Sequence, residues 1–236
     1  MYSSATTIIS RMANSFPGKL FPAGGGDLMP IHQFAEALGQ VVDIKDKYTH
    51  AHSMEVAEIG YLLAYHLGLD GNGCDAVHVA GHLHDLGKIG IADRILQKAG
   101  PLDPEERREI ERHPVIGHEI IRHIDALRRP GGIAAMVLHH HEKYDGSGYP
   151  GGLRGEQIPA GARILAVADA VSAMTGARNY RPAKGWEEVR EEVVRNAGRH
   201  FDPEVAAAFL AIEATVRDLL VPESKPQQRG SLCVSR

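Results

Sequence analysis

Cysteine is scarce in this sequence: Cys74 and Cys233 are the only two among 236 residues, and they stand far apart. That excludes a disulfide framework and a thiolate zinc site, and it makes a reducing, cytoplasmic setting the expectation. Long apolar runs are also missing. The first apolar pair, Ile8-Ile9, is followed at once by Arg11 and Asn14, so neither a signal peptide nor a membrane span is expected. There is no basic excess. Lys and Arg total 26 against 30 for Asp and Glu, a formal charge of −4. Such a chain is a poor binder of long nucleic acid, although a small anion can still be held where metals and a few cations cluster. No segment alternates as a strand would, and no internal repeat is evident. The expectation is an all-α bundle.

What is abundant is histidine. The 14 His outnumber the 7 Tyr, 5 Phe and 1 Trp combined, and imidazole suits metal coordination and proton transfer near neutral pH. Residues 1–28 carry Pro17, Pro22 and three successive glycines. They read as an irregular N-terminal segment with a short helix near Thr6 to Ala13. A helical domain is expected over 29–221 and a polar tail over 222–236. Within the domain, apolar spacing predicts helices over His32 to Val42, Tyr48 to Leu67, Cys74 to Leu86, Pro114 to Ile124, Gly132 to Glu142, Gly161 to Gly176, Trp186 to Ala197 and Pro203 to Leu220. Asp103 reads as an N-cap with Pro104 in the first turn, and Asp202 as a second cap. The glycine-rich stretch Lys143 to Pro159 reads as a loop long enough to be functional.

The strongest chemical signal is the doublet His84-Asp85 at a helix end. Adjacent helical residues point about 100° apart, so the pair can grip ions without crowding. A carboxylate can bridge two cations, whereas an imidazole offers one nitrogen. Lys88 follows His84 by four residues and shares its face if the helix continues. One doublet proves little, but four features join it. His52 lies in the preceding helix, His113 at a loop-to-helix junction, and His139-His140-His141-Glu142 at a helix end. Asp169 sits in the otherwise apolar run Ile164 to Val171. A carboxylate there is costly unless paired, protonated or bound to metal. The donor set is nitrogen and carboxylate oxygen without sulfur, which suits iron, manganese, zinc or nickel. Two such ions about 3.5–4 Å apart would make a phosphohydrolase site.

Seven ordered blocks between Tyr48 and Pro203 resemble the HD superfamily, and its HD-GYP branch in particular. They are Tyr48 to Ser53, Leu83 to Gly90, His113-Pro114, His140 to Pro150, Arg163 to Asp169, Arg178 to Arg181, and Phe201-Asp202-Pro203. The resemblance implies that His52, His84, Asp85 and Asp169 hold one divalent metal. His113, His140 and His141 would hold a second, with Asp85 bridging. Iron or manganese is the expected metal, and zinc and nickel also fit. The resemblance further implies that Lys88 and Asp85 act in catalysis. Asp145, Gly148, Tyr149 and Pro150 of the Gly-Tyr-Pro loop, with Arg178 and Arg181, would contact the substrate.

The implied activity is metal-dependent hydrolysis of cyclic di-GMP to the linear dinucleotide and onward to GMP. The implied partners are that cyclic dinucleotide, proteins docking on the loop, and a second copy in a homodimer. The alternatives are a different cyclic dinucleotide, such as cyclic GMP-AMP, and a catalytically weak sensing or docking domain. The sequence departs from the family pattern in places. Tyr48 stands where some members place a glutamate for a third metal, so two metals are expected. Ser172 replaces a frequent aspartate, which predicts a weakened contact behind the ligands. Arg181 replaces a lysine. His139, His50 and His118 read as non-ligands.

Overall fold

The computed structural model describes residues 29–46, 51–129, 131–176 and 184–220. The expected helix over Thr6 to Ala13, the tail, Tyr48, His50, Arg178 and Arg181 lie outside them. In chain order the helices are α1 (Met29–Lys45), α2 (His52–His66), α3 (Gly71–Leu83), α4 (Asp93–Leu96), α5 (Pro104–Ile110) and α6 (His113–Ile121). They continue with α7 (Ile133–His139), α8 (Ala160–Thr175), α9 (Trp186–Arg195) and α10 (Pro203–Leu220). Two 3₁₀ turns, Leu86–Gly90 and Gly155–Gln157, interrupt the connections. Among the described residues no strand forms, and no helix is long and apolar enough to cross a membrane.

The apolar spacing explains the packing. Val56, Ile59 and Leu63 recur on one face of α2 and are fully buried. They meet Val77 of α3, Leu165 and Val167 of α8, and Phe209 of α10 in one continuous core. Each large aliphatic side chain buried this way contributes about 1.5–3 kcal/mol. Helix α2 is the hub, packing on α3, α8 and α10, while α1 covers α3 and α7 bridges α3 and α6. The helix ends follow capping chemistry. Asp70 accepts from the amide of Gly73 at 2.7 Å, and Asp103 forms a capping box with Glu106. Asp202 accepts from Glu204 at 2.8 Å and pairs with Arg163 at the start of α8.

Three helices stop three residues sooner than their apolar spacing predicts. The third ends at Leu83 rather than Leu86, the sixth at Ile121 rather than Ile124, and the seventh at His139 rather than Glu142. Two of these early stops matter for the site. They leave His84, Asp85, His140 and His141 on the last αR residues and the turns beyond, where side chains need not obey helical spacing. Lys88 therefore does not share a face with His84 along a continued α-helix. It stands in the 3₁₀ turn, whose tighter winding sets it three residues beyond Asp85 and against that carboxylate.

Candidate metal centre

Helix α2 starts at the site. Ala51, just before His52, takes the left-handed conformation at φ 77° and offers no side-chain cap. Buried Asp43 of α1 fills that role by accepting from the amide of Ser53 at 3.2 Å and from its hydroxyl at 2.9 Å. The first turn of α2, and His52 with it, is thereby tied to α1.

Three imidazoles are oriented by one device. His84, His113 and His140 each donate Nδ1–H to the carbonyl three residues earlier, on Gly81, Ile110 and Val137, at 2.7, 2.8 and 2.8 Å. A carbonyl only accepts, so Nδ1 carries the proton and Nε2 of the neutral ring presents a lone pair. These Nε2 atoms converge. Those of His113 and His140 lie 3.3 Å apart, and that of His84 is buried facing Asp85 Oδ2 at 3.2 Å, two acceptors with no hydrogen between them while the ring is neutral. Facing lone pairs and an orphaned buried nitrogen are costly in a protein. A shared cation resolves both, so the residues fit a metal.

The carboxylates complete two groups. Asp85 turns Oδ1 to His113 Nε2 at 3.2 Å and Oδ2 to His84 Nε2 at 3.2 Å. Asp169 lies 3.3 Å from His52 Nε2, which is itself 3.9 Å from Asp85. One donor group comprises Asp85, His113, His140 and His141, and the other His52, His84 and Asp169, with donor atoms within 4.8 Å of one another in each. Asp85 thus faces both groups with different oxygens.

The electrostatics match. Burial drives His140 well below its ordinary range and His141 down to about 3, with neighbouring imidazoles adding to the effect. Both rings are neutral at neutral pH. Burial opposes charge on His84 too, yet Asp85 outweighs it and lifts that ring to about 9. The carboxylate calls for a cation there, and a metal would supply it in place of a proton. Burial raises Asp85 and Asp169, but His84 and Lys88 hold the first, and His52 the second, well below the carboxylate range.

Lys88 places Nζ 2.7 Å from Asp85 Oδ2 and 2.6 Å from Asp46 Oδ2. Burial opposes its charge, and the two carboxylates overcome this and hold it above the ordinary lysine range. Gly87 lets the 3₁₀ turn touch α6, because a Cβ there would lie 1.9 Å from the carbonyl of His113.

The Gly-Tyr-Pro loop borders the centre. The Tyr149 ring stands 5.0 Å from that of His141, and its amide donates to the His141 carbonyl at 3.2 Å. Gly148 presses on backbone, since a Cβ would come within 2.3 Å of the Lys143 nitrogen. Asp145 is exposed and turns inward on the loop, accepting from the amide and hydroxyl of Ser147. Pro150 is exposed. His139 faces Glu142 at 3.3 Å, and His118 pairs with Glu119 at 3.7 Å, and neither belongs to a donor group.

Several residues here escape sequence reasoning. Asp46 has no motif to mark it. Glu142 reads as part of a motif without a role, yet its carboxylate is fully buried and accepts from the amides of Gly151 at 2.6 Å and Leu153 at 3.1 Å. Ser172 keeps a contact behind His52, and its hydroxyl reaches both His52 and Glu55.

The family described as "HD domain" matches residues 36–205. The cyclic di-GMP phosphodiesterase of Thermotoga maritima is 37% identical over 189 residues, covering 80% of this chain and 51% of that protein. The 3'3'-cGAMP-specific phosphodiesterase 2 of Vibrio cholerae is also 37% identical over 189 residues, covering 77% and 36%. Among solved structures, a cyclic GMP-AMP-specific phosphodiesterase of V. cholerae superposes with a TM-score of 0.65 at 15% identity, over 83% of this chain and 51% of that one. The chain belongs to the HD-domain family, in its HD-GYP branch. It spans about half the length of the Thermotoga relative.

Proposed function

We propose that this chain hydrolyses the phosphodiester bonds of cyclic di-GMP, releasing the linear dinucleotide and then GMP. The observation that carries the reading is Asp85, which faces two converging donor groups with its two oxygens. Divalent ions there, iron or manganese by family resemblance, would supply when bound an activated water and positive charge against the developing phosphate anion.

The chain's own groups do the rest. His52, His84 and Asp169 would hold one ion, and His113, His140 and His141 the other, with Asp85 turned to both groups. Lys88 offers a cation to a non-bridging phosphate oxygen, where it stabilises the charge that grows in the transition state. Its pairing with Asp46 and Asp85 keeps it protonated for that task. Tyr149 gives a flat apolar wall beside His141 on which a guanine can rest. Arg178 and Arg181 serve the dinucleotide phosphates.

The alternative substrate is cyclic GMP-AMP, since a relative named for it is 37% identical, as the Thermotoga relative named for cyclic di-GMP is. The test is anaerobic assay of the purified chain, loaded with ferrous iron or manganese, against both dinucleotides in competition. Linear dinucleotide and GMP from cyclic di-GMP are expected. Binding without turnover under metal-replete conditions refutes the enzymatic reading, and a preference for the mixed substrate reassigns it.

A further inference from the structure

His52 departs from the carbonyl pattern of the other oriented imidazoles. Its Nδ1 lies 2.8 Å from Oγ of Ser172. The Ser172 hydroxyl donates to Oε2 of Glu55 at 2.6 Å. A hydroxyl has one hydrogen, and Glu55 takes it, so Oγ can only accept from His52 and Nδ1 must carry the proton. The direction of the chain is therefore fixed, from His52 through Ser172 to the carboxylate, and Nε2 is left as a lone pair beside Asp169.

The placement is economical. Glu55 follows His52 by three residues on α2, and Ser172 follows Asp169 by three on α8. Each helix thus presents a candidate ligand and, one turn along, a relay member on the same face. Ser172 is 2% exposed, so no bulk water competes for its bonds. A half-buried carboxylate at the far end polarises the hydroxyl and makes Nε2 a stronger donor to a cation, as a carboxylate behind a ligating imidazole does.

We propose that Glu55 and Ser172 form a positioning relay that orients His52 and raises its affinity for metal. This rests on the metal-centre reading above. The test is manganese affinity of the full chain, measured by competition with a chromophoric chelator, beside the thermal midpoint of the metal-free protein. Glu55→Gln and Ser172→Ala should each weaken binding about 10–100-fold. The double variant should be no weaker than the weaker single one, because either break cuts the same chain. Ser172→Asp in the Glu55→Gln background should restore affinity, since its carboxylate meets Nδ1 directly. Should Glu55→Gln fail to fold, Ser172→Ala still cuts the chain and leaves Glu55 in place. Unchanged affinity in the singles, losses that multiply in the double, or no rescue by Ser172→Asp overturns the relay. A wild-type chain that takes up no manganese overturns the metal-centre reading itself, and the relay with it.

Discussion

Nζ of Lys88 lies 2.7 Å from Oδ2 of Asp85. A lysine beside a carboxylate that faces two donor groups sits where a phosphate oxygen would approach bound ions. Lys88→Met keeps the length and removes the charge. Losing one preorganised cation costs roughly 10²–10³ in kcat when it acts mainly on the transition state. We expect that fall with manganese stoichiometry unchanged. Steady-state kinetics with metal analysis checks it, and a rise in KM alone would place Lys88 in binding instead.

Glu142 holds the Gly-Tyr-Pro loop through two backbone amides. Glu142→Ala leaves both donors without their partner, at a cost of about 1–3 kcal/mol each where water cannot reach them. The thermal midpoint should drop. KM for the dinucleotide should rise more than kcat falls, because the loop borders the donor groups without supplying a ligand. Retained KM in a destabilised variant would confine Glu142 to stability.

The helices were legible because their apolar residues follow one period, as Val56, Ile59 and Leu63 do. The candidate ligands were legible because imidazoles and a lone carboxylate in an apolar helix are hard to explain otherwise. What sequence could not give was the bond behind each ligand. Glu55 and Ser172 are 117 residues apart, and Lys88 and Asp46 are 42 apart, so only the folded packing of α2 on α8 and of α1 on the 3₁₀ turn brings them together. The three Nδ1-to-carbonyl bonds are local, but they depend on where each helix stops. Apolar periodicity places such ends poorly, since the core-facing pattern runs on past the last helical bond.

Acid should weaken the fold through a contact outside the two donor groups. His32 of α1 meets His78 of α3 at 2.6 Å. Burial, then the nearby His78, lower His32 from 6.5 to about 4, with Glu58 opposing. Above pH 6.5 the folded and unfolded states both keep His32 neutral, and its contribution is fully present. As pH falls from 6.5 to about 4 the unfolded chain binds a proton that the folded chain refuses, so stability is lost across that window. Thermal scans of metal-free protein should record this decline together with that of the other buried imidazoles, and His32→Gln should make it shallower. An equal slope in wild type and variant would assign the acid sensitivity elsewhere.

The last prediction separates the two donor groups. Gly87 touches the His113 carbonyl so closely that a Cβ would lie 1.9 Å from it, and 2.5 Å from the Gly117 nitrogen. Both obstacles are backbone, so no side chain can rotate away. Gly87→Ala must push α6 off the 3₁₀ turn, and overpacking of this kind costs about 1–3 kcal/mol or more. Because α6 carries His113, the shift draws that imidazole away from Asp85 and opens the group with His140 and His141. His52, His84 and Asp169 rest on α2, α8 and the end of α3, which α6 does not carry. The variant should therefore keep one manganese affinity near the wild-type value and lose the other, in a titration that resolves two sites. Equal weakening of both would mean that the groups move as one body through Asp85, and unchanged binding would mean that the turn yields without disturbing His113.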